Sequence, residues 1–150
     1  MKKIFVLWIT VTLCSCASKY VPPSDLPLTE VTYRSNKTAQ VGLLVKNPIE
    51  VLIFQNEDCE GVTFAGKLKG SEEKPDEFTI RVPINVPLVN TFRTPVANGY
   101  SYITTKFTPA EGSTYDIYVV PYKAPLITKT KNGIKAIDDS IEKPKKACKF

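Results

Sequence analysis

The sequence predicts an all-β fold, an antiparallel sandwich of about seven strands. In residues 77–87 five apolar side chains alternate with other residues, which is the period-two pattern of a half-buried strand. They are Phe78, Ile80, Val82, Ile84 and Val86. Other short apolar runs recur roughly every ten residues and are separated by turn-forming residues. Twelve prolines are spread along the 150 residues, and proline interrupts both helices and central strands.

The remaining predicted strands follow in order along the chain. They cover residues 40–45, 49–55, 62–68, 91–96, 100–107 and 114–120. Pro83 places the 77–87 strand at a sheet edge or at a bend, because proline has no N–H to donate. Asn132-Gly133 suits a type I′ turn, which predicts a final hairpin between residues 126–131 and 134–137. We assign the sandwich to one domain, residues 37–150.

The first fifteen residues have the composition of a signal peptide. Lys2 and Lys3 precede an apolar run of ten residues, 4–13. Ten residues of helix span roughly 15 Å, about half of a hydrocarbon core, so this run is too short for a stable membrane span. A basic start followed by a short apolar stretch is typical of a secretory signal, and we assign residues 1–15 to it.

The tetrapeptide Leu13-Cys14-Ser15-Cys16 follows the apolar run. It resembles the lipobox of bacterial lipoproteins, in which leucine stands three places before the cleaved cysteine and a small residue stands one place before it. The resemblance implies that Cys16 becomes the first residue and carries a diacylglyceryl group and an amide-linked acyl chain. Two such attachments anchor a protein stably, whereas one acyl chain holds weakly. An ordinary secretory signal, cut at Ala17 or Ser18, is the alternative.

Residues 16–36 are predicted to form a lipidated tether. Three prolines within six residues, at positions 22, 23 and 27, suit an extended linker that spans tens of Å at about 3 Å per residue. Val31 and Tyr33 are the alternative start of the first strand. No aspartate follows Cys16, and the resemblance to Gram-negative lipoprotein sorting then favours the outer membrane, with the domain facing the periplasm.

Cysteine usage predicts one disulfide. After removal of residues 1–15 the chain keeps Cys16, Cys59 and Cys148. If lipid occupies Cys16, the other two remain in a compartment that permits disulfides, and we expect them to pair. The bond would close a loop of about 90 residues and hold the C-terminal segment. Two free thiols, or a bond to another protein, are the alternatives.

Residues 107–115 resemble the tyrosine corner of immunoglobulin-like sandwiches, in which a tyrosine hydroxyl bonds back to the backbone across a turn. The residues that carry the likeness are Phe107, Pro109, Gly112 and Tyr115. With residues 84–87, this stretch also resembles small, mostly uncharacterised envelope lipoproteins. A fainter likeness of residues 47–55 to a transthyretin-like lipoprotein of a secretion machine keeps that topology open. The likenesses therefore imply an immunoglobulin-like or transthyretin-like sandwich in the cell envelope.

The composition argues against several classes of catalyst. The chain has no histidine, which removes the commonest general base, the histidine-dependent nucleophiles and the usual zinc sites. A Cys-x-x-Cys motif and a glycine-rich phosphate loop are also missing from the sequence. We therefore predict no enzyme activity, no catalytic residue, no metal and no small-molecule cofactor.

The charged residues suggest one candidate binding loop. Glu57, Asp58 and Glu60 flank Cys59, where a disulfide would hold them in place, although acidic residues are also usual in solvated turns. Without Lys2 and Lys3 the net charge falls from +5 to +3, a mild excess that does not predict binding of nucleic acid.

The sequence thus predicts an envelope lipoprotein that is attached to a membrane through its lipid. Its sandwich is expected to be a non-catalytic module that binds an envelope protein or has a structural, accessory role. The alternative is an inhibitor or ligand-binding lipoprotein directed at lysozyme or glycans, with the Cys59 loop as its binding element.

Overall fold

The computed structural model describes residues 18–41 and 45–149, which form twelve strands and no helix. The predicted signal peptide, residues 1–15, and the predicted lipidation site, Cys16, lie outside the described residues. Ten of the strands form two five-stranded sheets, and the other two form a separate hairpin.

The first sheet has the strand order β1-β6-β5-β8-β9. Its strands are β1 (Ser18–Lys19), β5 (Ile49–Phe54), β6 (Thr63–Leu68), β8 (Leu88–Val96) and β9 (Gly99–Phe107). All neighbours pair antiparallel except β1, which runs parallel to β6.

The second sheet has the order β12-β11-β10-β2-β7. Its strands are β2 (Leu28–Ser35), β7 (Asp76–Pro83), β10 (Ser113–Tyr118), β11 (Leu126–Lys131) and β12 (Ile134–Ile137). The small hairpin joins β3 (Ala39–Val41) to β4 (Val45–Asn47), in the region where one strand over residues 40–45 was expected.

The predicted all-β sandwich is confirmed. Eight strands have six residues or more, close to the predicted seven, and the additional ones are short. In an immunoglobulin domain the first strand pairs with the second. Here the first long strand, β2, lies between β7 and β10 and runs parallel to β10, so the order of the second sheet differs from that pattern.

Residues 18–35 belong to the fold, whereas the sequence suggested a flexible tether over 16–36. Ser18 and Lys19 pair with β6, and Tyr20 continues the contact through a hydrogen bond from its N–H to the carbonyl of Phe64, at 2.9 Å. β2 then lies between β10 and β7 in the second sheet, with Val31 and Tyr33 fully buried. The alternation from Thr29 to Tyr33 outweighs the preceding prolines, because burying these side chains completes the core.

The strand directions set which loops share an end of the sandwich. One end, called here the Ser18 end, carries Ser18, the stretch that leads into β2, the β5–β6 loop, the 84–87 turn, the 108–112 corner and the β11–β12 turn. The opposite end carries the β8–β9 turn and the 119–125 loop. The predicted binding loop, residues 57–60, and the predicted tyrosine corner therefore lie at the same end of the sandwich.

The core lies between the two sheets and contains one polar pair. Val31, Val51 and Phe92 are among its buried residues. Tyr33 is fully buried and donates its hydroxyl hydrogen to Oδ1 of Asn90 at 2.6 Å, which satisfies the hydroxyl group and the amide oxygen away from water. The Nδ2 atom of Asn90 is buried without a hydrogen-bond partner among the described residues. Burial raises the pKa of Tyr33 far above its ordinary value, so the phenol stays neutral and keeps donating this bond.

The strand predicted over residues 77–87 is shorter than expected. β7 ends at Pro83 and forms an edge of the second sheet, which agrees with the position expected for a strand proline. Asn85 has a left-handed backbone, with φ 58°, and this turns the chain toward β8. Ile84 and Val86 therefore lie in the turn and do not continue the apolar face of the strand, and Val86 is exposed.

Candidate functional site

The loop between β5 and β6 carries the three carboxylates that the sequence singled out. Cys59 within it is joined by a disulfide to Cys148, with their Cα atoms 5.2 Å apart. Two positive φ angles, 67° at Cys59 and 57° at Gly61, fold the loop back on itself. The side-chain oxygen of Asn56 accepts hydrogen bonds from the N–H groups of Asp58 and Glu60, at 3.0 and 3.3 Å. Covalent and hydrogen bonds thus fix the shape of the loop.

The carboxylates of this loop have different surroundings. Glu57 accepts a hydrogen bond from Lys106 of β9 at 2.9 Å, and Glu60 accepts one from Asn56 at 2.7 Å. Lys106 also pairs with Glu142, and hydrogen bonds to Glu142 and Glu57 raise the pKa of its ammonium group. Glu57 therefore contributes to attachment of the loop, whereas Asp58 and Glu60 lie exposed at its surface.

The C-terminal segment covers one side of the first sheet. Lys106 and Glu142 exchange two backbone hydrogen bonds, at 2.8 and 3.0 Å, which covers part of the outer edge of β9. Cys148 donates its N–H to the hydroxyl of Thr104 at 3.0 Å and is fully buried. It packs with Leu52, Phe54 and Val89 in an apolar cluster separate from the main core. The disulfide therefore holds a cover over apolar side chains on the outer face of the sheet.

The predicted corner residues are brought together at the Ser18 end. The N–H of Ala110 donates to the hydroxyl of Tyr115 at 2.8 Å, the type of bond that defines a tyrosine corner. The rings of Phe107 and Tyr115 pack 5.0 Å apart. Gly112 has φ 66° and faces open space, so it supplies the turn. The carbonyl of Pro109 accepts a hydrogen bond from the N–H of Asn85 at 2.7 Å, which joins the corner to the β7–β8 turn.

An ion network lies on the face of the first sheet away from the core. Glu50 accepts a hydrogen bond from Arg93 at 2.6 Å and lies 3.0 Å from the ammonium group of Lys67. Burial alone would raise the pKa of Glu50, but the hydrogen bonds from Lys67 and Arg93 outweigh it and hold the pKa below its ordinary value. The Arg93 guanidinium lies 4.7 Å from the centre of the Tyr100 ring. The carboxylate of Glu50 is paired with both cations, so this network is best explained as stabilising the sheet.

The last hairpin presents an exposed strand edge. β12 bonds to β11 on one side, and no described strand pairs with its other side. All four of its residues are exposed, including Ile134 at 74% and Ile137 at 62%. Lys135 forms an ion pair with Asp116 at 2.9 Å, so its charge is compensated. A strand edge with exposed isoleucines is typical of a surface that pairs with another chain.

A shallow apolar groove lies at the Ser18 end, beside β1. Its volume is about 310 Å³. Its lining is mostly apolar and includes Val21, Pro23, Phe54, Val86, Pro87 and Leu88. No sequence pattern indicated this groove, because it forms only when residues 20–23 lie beside β7 and β8 in the folded chain.

Within residues 18–41 and 45–149, no three side chains from histidine, cysteine, aspartate and glutamate are grouped so that they could hold a metal ion. The same part of the chain contains no helix that is long and apolar enough to cross a membrane. Comparison of the chain with protein-family models, with curated proteins and with solved structures found no match.

Proposed function

We propose that this protein is a membrane-anchored envelope lipoprotein whose sandwich is a non-catalytic module that binds another envelope protein. The observation that carries the proposal is the free edge of β12, where backbone groups and two isoleucines are exposed together. In this mode an extended segment of the partner adds to the sheet as a further strand, with main-chain hydrogen bonds and side-chain contacts.

The other three sheet edges are less suited to this role. The outer edge of β6 is paired with β1 at Thr63 and Phe64, and the rest of β6 has no exposed apolar side chain. The outer edge of β9 is partly covered around Glu142. β7 has its Arg81 carbonyl occupied by the hydroxyl of Tyr20, at 3.1 Å, and it ends in Pro83. Among the described strands, β12 thus combines an open edge with exposed apolar side chains, a combination that proteins otherwise tend to avoid.

Site-specific photo-crosslinking in cells tests the binding surface. A photoreactive amino acid at position 134 or 137 is expected to give a crosslinked adduct with one defined envelope protein. The matched control is position 79 on β7, where Thr79 is exposed on the opposite edge of the same sheet. Equal adducts from all three positions, or none from 134 and 137, would contradict β12 as the binding edge.

The anchor is tested separately by labelling cells with an azido fatty acid. We expect label on the protein and none on the Cys16→Ser variant, because the thioether and the new amino terminus both depend on Cys16. Cys14→Ser is the matched control, since it changes a neighbouring cysteine and leaves the proposed cleavage site intact. Persistent labelling of the Cys16→Ser variant contradicts the assignment.

A second candidate function rests on the disulfide-held loop. Inhibitors often present a loop whose shape is fixed before binding, because this lowers the entropic cost of association. Asp58 and Glu60 are exposed on such a loop and would suit a basic target such as lysozyme. Binding to a panel of lysozymes that is lost in the Asp58→Asn/Glu60→Gln variant supports this function, and binding to none of them removes it.

A further inference from the structure

The anchor of the proposed lipoprotein lies close to the folded domain. Ser18 is already paired with Thr63, so only Ala17 separates Cys16 from the first sheet. Two residues span at most about 7 Å. The headgroup region of one leaflet is about 5–8 Å thick, taken as half the difference between the whole bilayer and its hydrocarbon core. If Cys16 carries the acyl chains, Ser18 therefore lies at the level of the headgroups.

The strand directions then determine which end of the sandwich faces the bilayer. β1 enters the sheet at Ser18, beside the start of β6 and the end of β5. The 84–87 turn lies at the same end, because β7 finishes there and β8 begins there. A long tether would leave every orientation open, whereas a two-residue link brings the Ser18 end to the membrane.

The side chains at this position are apolar and exposed. Val21 is 77% exposed and Val86 is 39% exposed, and both line the 310 Å³ groove beside β1. Pro23 and Pro87 line the same groove. These four residues, Val21, Pro23, Val86 and Pro87, are called here the apolar rim. None of the four side chains carries a polar group, so the rim gains from leaving water.

The exposed apolar residues of the opposite end have a different character. Tyr100 and Tyr122 lie there, and the Tyr122 hydroxyl donates a hydrogen bond to the carbonyl of Pro95 at 2.9 Å. Among the described residues, the large exposed aliphatic side chains toward that end are Leu126 and Ile137, whereas Val21, Leu26, Val86 and Ile134 lie toward the Ser18 end. Exposed aliphatic residues are thus more numerous on the side nearest the proposed anchor.

We propose that the apolar rim is a membrane-contact site that inserts into the bilayer to which Cys16 is anchored. This inference rests on the lipidation of Cys16 in the proposed function, and adds to it a fixed orientation of the domain. Insertion gives the domain a second attachment beside the acyl chains and leaves the opposite end directed away from the membrane. It also brings the Asp58 loop near the headgroups, so the same orientation limits the access of a soluble target to that loop.

Tryptophan fluorescence tests the orientation, because Trp8 is the sole tryptophan of the chain and lies in the predicted signal peptide. In a Trp8→Phe background, tryptophan replaces Val86 or, independently, Val21. The matched control replaces Leu126, which is also exposed but lies at the opposite end. Each full-length protein is processed in cells, purified, and reconstituted into phosphatidylcholine vesicles that contain lipid brominated on its acyl chains. Unchanged unfolding midpoints show that the variants are folded.

The expected result is loss of emission and a shift to shorter wavelength for the Val86→Trp and Val21→Trp proteins, with neither change for Leu126→Trp. Flotation of the vesicles measures the anchor independently. Proteins that float with the vesicles but show no quenching at positions 86 and 21, or equal quenching at all three positions, overturn the membrane-contact site and leave the anchor intact. Failure to float overturns both the anchor and the site.

Discussion

Removing the disulfide between Cys59 and Cys148 should destabilise the whole domain, because it closes a large loop. The two residues are 89 positions apart. In the chain-entropy model, opening a loop of this length increases the entropy of the unfolded chain enough to cost about 4.6 kcal/mol at 25 °C. Typical domains have unfolding free energies of about 5–15 kcal/mol, so the reduced protein would retain little stability. The melting temperature should fall by roughly 15–20 °C for a domain of this size.

Equilibrium unfolding in urea, with and without a reductant, measures this difference directly. Reduction leaves both sulfur atoms in place, so the loss reflects loop closure more than packing. The Cys59→Ala/Cys148→Ala variant also removes sulfur from the buried cluster with Leu52, Phe54 and Val89, and should be slightly less stable still. Reductant should have no effect on that variant, which serves as the control. A loss below about 1 kcal/mol on reduction would refute the reasoning and indicate that only the C-terminal segment detaches.

Three smaller perturbations test the corner, the ion network and a close backbone approach. Tyr115→Phe leaves the N–H of Ala110 without its acceptor and should lower the unfolding free energy by about 1–3 kcal/mol in urea titrations; an unchanged value would contradict the corner. The pKa of Glu50 is lower in the folded protein than in the unfolded chain, where it is about 4.3. The stabilisation that ionised Glu50 adds to the free energy of unfolding is therefore complete above the unfolded pKa and is lost as the pH falls through the folded pKa. Stability measured between pH 6 and pH 3 should therefore fall less steeply in Glu50→Gln, and equal slopes would exclude this role. Gly70→Ala would place a Cβ 1.8 Å from the Ser35 carbonyl oxygen, so we expect thermal melts to show a loss of about 3 kcal/mol or more in the free energy of unfolding. The control Lys69→Ala changes an exposed residue and should have little effect, and equal melting temperatures for the two variants would contradict the close approach.

The strands with clear local patterns were predictable from the sequence. The final hairpin matches residue for residue, because Asn132-Gly133 fixes both the turn and the register. The 49–55 and 100–107 strands agree within one residue, since each is an apolar run bounded by turn residues. The pairing partners of these strands were not predictable, because alternation specifies a buried face and says nothing about which strand lies beside it.

The strand β2 was difficult to predict for a different reason. Pro22, Pro23 and Pro27 dominate the local composition and favour an extended linker. The three prolines lie outside β2, in the stretch that precedes it, and β2 acquires its stability from two neighbours that come much later in the chain. Local propensity does not contain this information.

One sequence feature did indicate that the outer face of the first sheet is covered. Val51-Leu52-Ile53-Phe54 is a continuous apolar run, and such runs are typical of strands that are buried on both faces. Alternate members of this run pack in the main core and under the C-terminal segment. The run implied a second covering layer but did not identify it, and the layer depends on the bond to Cys148.

The parallel pairing of β2 with β10 also constrains the order in which the protein can fold. Ribosomes release the chain from its amino terminus, so β2 emerges early and has no partner until β7 and then β10 have followed. During most of synthesis β2 therefore lacks its partner β10, and the core positions of Val31 and Tyr33 cannot yet be completed. Contacts between distant parts of a chain form slowly, because the intervening segment must lose its freedom first. β2 therefore cannot complete its native pairing until residues 113–118 become available.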